Sequence, residues 1–260
     1  MREKLYQSMI ELTNGRWSSS IIQSFARSKL SKSIIPTYIK YFNITLQDVT
    51  RPINDFSTLH DFFIREVSAE SRPIHVGSNS IISPVDATVE TFGSISKDGI
   101  FFVKDKSYTL ENLLGSQKIA NQFVNGKYII LYLSPAEYHR IHAPVDGEVI
   151  RQYMLGKKSY PVNKWGLQYG REAISGNYRL LTELSMPNKK HCFHIKVGAM
   201  FVNSIELTNT SSVWKKGDEV GYFSFGSTVV MLFEEASMEF SSAMKPGKFV
   251  RMGEIVANML

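Results

Sequence analysis

The rhythm of apolar and polar positions changes near residue 80. Before that point apolar residues recur every three or four positions, the spacing of amphipathic helices. Leu5, Met9 and Leu12 share one helical face; Trp17, Ile21, Ile22 and Phe25 share another; Ile34, Ile35, Tyr38, Ile39 and Phe42 make a third stripe. Pro36 falls in the first turn of that third stripe, where its missing N–H is tolerated. Thr58 stands at the N-cap position of a short helix carrying Leu59, Phe62 and Phe63. Beyond residue 80 the apolar runs are short: 81–85, 100–103, 128–133, 147–154, 192–197, 200–206, 219–225 and 228–233, divided by Gly, Pro, Asn and Asp. These predict strands, and no alternation with helices accompanies them. The expected fold is α+β: a β-rich sandwich or distorted barrel of the barrel-sandwich kind, with N-terminal amphipathic helices. Residues 1–50 form the helical segment and residues 51–260 the β-rich domain.

Charge sharpens the reading of the first segment. Residues 1–40 hold seven Lys and Arg against Glu3 and Glu11. Amphipathic stripes flanked by basic residues either pack on the protein's own core or lie in an anionic membrane interface, apolar side down. No apolar run approaches the roughly 18 residues of a membrane-spanning helix. Met1-Arg2-Glu3-Lys4 leads into mixed polar sequence rather than a signal-peptide core. The single cysteine, Cys192, excludes an intrachain disulfide. No GxGxxG or Walker loop is present. A nucleic-acid reader is disfavoured, because the basic excess sits on amphipathic helices without a recognition motif.

A faint internal repeat appears in the β-rich part. Ser83-Pro84-Val85-Asp86-Ala87 is echoed by Ala143-Pro144-Val145-Asp146-Gly147. The second copy, with Lys245-Pro246-Gly247-Lys248, is similar to the barrel-sandwich folds of biotinyl and lipoyl carriers, but their acceptor lysine motif is missing.

Chemistry concentrates in three places. In the string 216–233, Lys-Gly-Asp-Glu-Val-Gly-Tyr-Phe-Ser-Phe-Gly-Ser-Thr-Val-Val-Met-Leu-Phe, Gly226-Ser227-Thr228 interrupts two apolar runs. An isolated Gly there reads as a β-bulge, or as a kink that lays Ser227 Oγ against the Gly226 carbonyl carbon. A base that takes the Ser227 proton would then direct it at the chain's own peptide bond. Tyr138-His139-Arg140-Ile141-His142 supplies two histidines placed to serve, on one side of the chain if the segment is a helical turn. Two aspartates compete to orient such a base: Asp146-Gly147 is explained as a turn, whereas Asp86 is not. A zinc hydrolase built from His139, His142, His191 and His194 is the rival reading, weakened by the absence of HExxH. A non-catalytic lipid-binding β module is a second rival.

The string 216–233 closely resembles the signature of phosphatidylserine decarboxylases, and Tyr138 to His142 and Ser83 to Asp86 resemble further segments of that family. The likeness extends over about residues 55–260. It implies a pyruvoyl enzyme that cuts itself between Gly226 and Ser227. Asp86, His142 and Ser227 would form the self-cleavage triad, with His142 the base and Asp86 orienting it. Acyl shift to Ser227 Oγ, β-elimination and hydrolysis of the dehydroalanine would release ammonia and leave a covalent pyruvoyl cofactor on residue 227. Chains 1–226 and 227–260 would remain together as a heterodimer, with further dimerisation left open. The pyruvoyl would condense with the amine of phosphatidylserine, the substrate, and the product would be phosphatidylethanolamine. His139 is implied as proton donor or phosphate contact; Arg65 and Arg72 are read as solvated surface arginines, with phosphate contact the alternative. Asn177-Tyr178-Arg179 and Lys196-Val197-Gly198-Ala199 resemble family stretches, while Ala87 and Asn203 stand where the family usually has Gly. A peripheral position on the cytoplasmic face of the cell membrane follows from the lipid substrate.

Overall fold

A computed structural model describes residues 16–104, 106–162, 173–199, 205–224 and 227–260, with side chains from residue 21 onward. The stripe of Leu5, Met9 and Leu12, the side chain of Trp17, and Gly226 lie outside the described residues. The helices are α1 (Arg16–Ala26), α2 (Ile35–Phe42), α3 (Leu59–Phe63), α4 (Leu110–Leu114) and α5 (Gln117–Ala120). The strands are β1 (Ser80–Ile82), β2 (Ala87–Ser94), β3 (Ile100–Val103), β4 (Lys106–Thr109), β5 (Lys127–Leu133), β6 (Arg140–His142), β7 (Gly147–Leu155) and β8 (Arg179–Ser185). They continue as β9 (His191–Gly198), β10 (Ile205–Leu207), β11 (Val213–Trp214), β12 (Glu219–Phe223), β13 (Ser227–Phe233), β14 (Met238–Phe240), β15 (Phe249–Val250) and β16 (Ile255–Met259).

One antiparallel sheet organises the rest, in the order β11-β7-β8-β9-β13-β5-β2-β15. Its central strands β5 and β13 read as unbroken apolar runs because both of their faces are covered. Val229, Met231 and Phe233 point to one side with Ile129 and Leu131, against Ile141, Val220 and Phe223 of the sheet β10-β12-β6 and Ile81 and Val256 of the sheet β1-β16-β14. Val230 and Leu232 point to the other side with Ile130 and Phe193, against the β3–β4 hairpin and the helices α4 and α5. The expected α+β architecture is therefore present as an open sandwich; the sheet does not close into a barrel.

The internal repeat is structural. The Ile82 N–H donates to Pro144 O and the His142 N–H to Pro84 O, each at 2.9 Å, so the two Pro-Val-Asp copies lie side by side. Each copy feeds a long strand of the main sheet, β2 or β7. Each aspartate accepts a backbone N–H just before a left-handed glycine: Met252 on Asp86 before Gly253 (φ 91°), and Lys216 on Asp146 before Gly217 (φ 89°). A Cβ on Gly253 would meet Pro73 O at 2.5 Å, so a side chain there is excluded by space as well as by φ.

The first helices bury one part of their apolar residues and expose another. Ile35 is buried with Phe56, Leu59 and Phe62, and Tyr38, Ile39 and Phe42 pack onto them. This cluster draws on both sides of residue 50. Ser31 Oγ accepts the Leu59 N–H at 2.9 Å, and Thr58 Oγ1 caps α3 by accepting the Asp61 N–H at 3.0 Å. By contrast, Ile21, Phe25, Leu30 and Ile34 face outward, Leu30 with 77% of its surface exposed.

Candidate active site

The stretch 133–142 passes both flanks of the expected cleavage point. At its start Leu133 pairs with Ser227 across β5 and β13. Further on, the His139 carbonyl accepts the Phe223 N–H at 3.1 Å, and His142 lies opposite Glu219 on β12. The helical segment holds this stretch from behind. Tyr38 Oη donates to Pro135 O at 3.2 Å, and Arg65 Nη2 donates to Ala136 O at 2.6 Å and Glu137 O at 3.1 Å. Arg140 grips both Glu219 oxygens with Nη1, at 3.0 and 2.9 Å, and donates from Nε to Ile64 O at 2.9 Å. Residues 140–142 form strand rather than a helical turn, so the two histidines do not share a helical face.

His142 has a fixed tautomer. Its Nδ1–H donates to Gly217 O at 2.8 Å, which leaves Nε2 with the lone pair; Tyr138 Oη meets that atom at 3.1 Å. Burial lowers the pKa of the ring, and the hydrogen bond to Gly217 opposes that only in part. The ring is neutral at neutral pH and competent as a base. Gly217 owes its place to its φ of 89° and to Ile74, whose carbons would lie 3.0 Å from any Cβ.

His139 is fully buried, with its ring 3.9 Å from that of Phe63. Its Nδ1–H donates to Glu137 O at 2.8 Å, and Nε2 has no partner among the described residues. Burial, with the charge of Arg65 adding to it, pushes its pKa down to about 3.

Asp86 is engaged elsewhere than on the imidazole. Arg72 Nε reaches its two oxygens at 2.9 and 3.0 Å, Arg72 Nη2 reaches Oδ2 at 2.6 Å, and the Met252 N–H reaches Oδ1 at 2.8 Å. It reaches His142 only as a charge that raises the ring's pKa. The atom that orients His142 is the Gly217 carbonyl, which sequence reasoning missed. Its signal was the Lys216-Gly217 that opens the long motif in which Ser227 also lies. Tyr138 was likewise quoted without a role.

Ser227 opens β13 fully buried, and its Oγ has no hydrogen-bond partner among the described residues. An orphaned buried hydroxyl costs roughly 1–3 kcal/mol, so it calls for an explanation. Its other neighbour is Gly198 on β9, which Asn177 braces through Nδ2 at 2.8 Å. Arg179 is spent on the carbonyls of Leu113, Asn112 and Asn177. On the same face of the sheet lie two further buried groups. Lys196 Nζ donates to Thr182 Oγ1 at 2.8 Å and stands 4.9 Å over the Trp214 ring, and burial lowers its pKa to about 7. His194 is buried beside it with neither ring nitrogen partnered among the described residues.

The four histidines of the zinc reading are not gathered. His191 Nδ1 bonds Glu183 at 2.6 Å, while His194 is three positions along the same strand and so on its other face. Among the described residues no group of three or more His, Cys, Asp or Glu is placed to hold a metal.

Comparison with known proteins places the sequence in a family. The sequence model of the phosphatidylserine decarboxylase family matches residues 59–258. The chain is similar to the phosphatidylserine decarboxylase proenzyme of Geobacillus sp. (strain WCH70), with 48% identity over 98% of each chain. It is similar to that of Bacillus thuringiensis subsp. konkukian (strain 97-27), with 44% identity over 100% of this chain and 99% of the other. That of Bacillus cereus (strain B4264) is 45% identical over the same shares. The chain belongs to the phosphatidylserine decarboxylase family of enzymes.

Proposed function

We propose that this chain cuts itself between Gly226 and Ser227 and then decarboxylates phosphatidylserine to phosphatidylethanolamine. The observation that carries the reading is the buried, unpartnered hydroxyl of Ser227, flanked by a stretch that also holds a base of fixed tautomer. The name proenzyme, printed for the relatives, supports processing.

In the first stage His142 Nε2 takes the Ser227 proton. Tyr138 occupies that lone pair in the uncut chain, so its hydroxyl either yields or relays the proton. Asp86 favours the resulting imidazolium through its field, although the Arg72 ion pair weakens that help. Ser227 Oγ attacks the Gly226 carbonyl carbon and the amide becomes an ester. Loss of the Cα proton breaks the Cβ–Oγ bond and frees chain 1–226 as a carboxylate. One water then replaces the nitrogen of dehydroalanine, which leaves as ammonia.

The pyruvoyl group at position 227 would supply a carbonyl that condenses with the substrate amine and an electron sink for the departing carbon dioxide. A position walled by Leu133, Gly198 and Val229 fits such a group, since it needs no hydroxyl partner and excludes water. We assign His139 to proton handling. With a pKa of about 3 its Nε2 enters as an acceptor and must take a proton within the complex before giving one. His139→Ala should therefore cleave normally and lose roughly 10²–10⁴ in kcat, the usual worth of a positioned acid or base. A raised KM with kcat kept would instead assign it to binding.

The membrane contact is proposed on the exposed apolar row Ile21, Phe25, Leu30 and Ile34, set among exposed Arg27, Lys29, Lys32 and Lys40. No described helix is long and apolar enough to cross a membrane. The same helical segment touches the site stretch through Tyr38, so lipid would be met beside the chemistry. Each inserted Phe or Ile contributes roughly 1.5–3 kcal/mol. The pair Ile21→Asp and Phe25→Asp should cut vesicle binding by tenfold or more on that scale. In the unsubstituted protein the binding should be strongest on anionic vesicles and weakened by salt. Unchanged binding by the double variant would end the assignment of this face.

A further inference from the structure

Four side chains with polar ends meet in the core on the Ser227 face of the main sheet, and the chemistry described so far uses none of them. Lys196 is fully buried on β9. Its Nζ donates to Thr182 Oγ1 on β8 at 2.8 Å and stands 4.9 Å from the centre of the Trp214 ring on β11. His194 lies two residues along β9 on the same face, edge to face with Trp214 at 6.2 Å. We propose that Lys196 is a carbamylation site: its amine captures carbon dioxide, and Trp214, His194 and Thr182 hold the carbamate oxygens. The family's own reaction supplies the carbon dioxide.

The cluster has the donor set of an anion receptor. Trp214 Nε1–H is buried with no acceptor among the described residues, and neither nitrogen of the His194 ring has a partner there. Thr182 Oγ1 accepts from Lys196 Nζ and from Gln152 Nε2, at 2.8 and 2.9 Å. Those two bonds use both of its lone pairs, so its own hydrogen is left to donate. Buried donors without acceptors are costly. The two oxygens of a carbamate would take up all three.

Only an unprotonated nitrogen attacks carbon dioxide, and burial supplies one. It lowers the Lys196 pKa to about 7, and no carboxylate offsets that among the described residues. In the capture the Nζ–C bond forms, one C–O π bond opens to leave the charge on oxygen, and one Nζ proton passes to the free nitrogen of His194. Burial first, and then the charges of Lys196 and His142, hold the pKa of His194 well down. Carbamylation replaces the Lys196 cation by an anion, so the imidazolium gains a partner in the same step. Lys196 lies opposite Val229 on β13, and residue 227 is its diagonal neighbour on the same face. Such neighbours stand about 7–8 Å apart, within reach of a long side chain, so the lysine belongs to the surroundings of the carbon at which carbon dioxide would be released.

The test is carbon NMR on the full chain carrying Ser227→Ala, with nitrogen-15 at the lysine ε position and carbon-13 bicarbonate added at about pH 7.5. A lysine carbamate is then a carbon signal split by nitrogen, which bicarbonate and a carbamate on the N-terminal amine are not. One such doublet should rise to one equivalent and be lost in Lys196→Met. Trp214→Phe removes a donor and should weaken capture about 10- to 100-fold, the worth of a hydrogen bond to a charged group. Unfolded lysines stay protonated at this pH, so only the folded chain captures carbon dioxide. Once capture is saturated, each tenfold rise in bicarbonate should move the folding equilibrium about tenfold, with no response in Lys196→Met. No doublet, or one that survives in Lys196→Met, overturns the proposal. If Lys196→Met fails to fold, the parent chain decides. A doublet that grows in only toward about pH 10 belongs to ordinary surface lysines and overturns it as well. Because carbon dioxide is supplied, none of these readings depends on whether residue 227 becomes pyruvoyl, which chain mass decides separately.

Discussion

Ser227→Ala should stay in one piece under denaturing conditions, and its decarboxylase activity should be lost rather than reduced. On the proposed mechanism the change removes the attacking atom of the cleavage and the precursor of the pyruvoyl carbonyl. The fold should survive the change, because Oγ makes no hydrogen bond among the described residues. Replacing an unpartnered buried hydroxyl by a methyl group is neutral or stabilising. His142→Ala should also remain whole, or cleave slower by roughly 10²–10⁴. Burial holds the pKa of His142 below the ordinary imidazole range, so its basic form persists as pH falls. Processing should accordingly keep its rate on acidification past the point at which a free histidine is half protonated, near 6.5. Normal cleavage in His142→Ala would move the base elsewhere, and cleavage of Ser227→Ala would contradict the mechanism outright.

Lys196→Met should change how the stability of the fold depends on pH between about 7 and 10. The unfolded chain keeps the proton of this lysine up to about pH 10.4. The folded chain releases it above about 7, because burial penalises the ammonium. Between those values the unfolded state binds more protons, so unfolding free energy rises with pH, by on the order of 4 kcal/mol over the window. Below pH 7 the penalty is fully present; above about 10.4 it is gone. Methionine fills similar volume without the charge. In the uncut Ser227→Ala background, the advantage of Lys196→Met over lysine should be largest at pH 7 and below and fade by about pH 10. Denaturant unfolding at a series of pH values reads this difference directly, and parallel curves for the two chains would refute it.

Much of the fold was written in hydrophobic spacing. The unbroken runs at 128–133 and 228–233 announced β5 and β13, and Thr58 announced α3, because those signals are local. Strand β8 escaped notice because its sequence, Arg-Leu-Leu-Thr-Glu-Leu-Ser, carries polar residues whose partners are remote. Glu183 is fully buried only because Arg151 and His191 neutralise it from neighbouring strands. The Pro-Val-Asp echo was visible, but its meaning was not. Asp86 looked free of structural duty because Arg72 and Met252, which bind it, lie far along the chain or behind a turn. The histidine pair was legible as chemistry, yet spacing alone could not decide between a helical turn and a strand. That choice was made by pairing of residues 140–142 with β12. Lys196 was hidden altogether, since nothing local distinguishes a buried lysine from one that reaches solvent.

The central claim is that this chain makes its own active carbonyl at residue 227. Intact-mass analysis of the purified, denatured wild-type protein tests it most directly. The account predicts two chains, 1–226 and 227–260, with the smaller lighter by one ammonia than a chain beginning in serine. A single uncut chain of 260 residues, together with full decarboxylase activity, would contradict it.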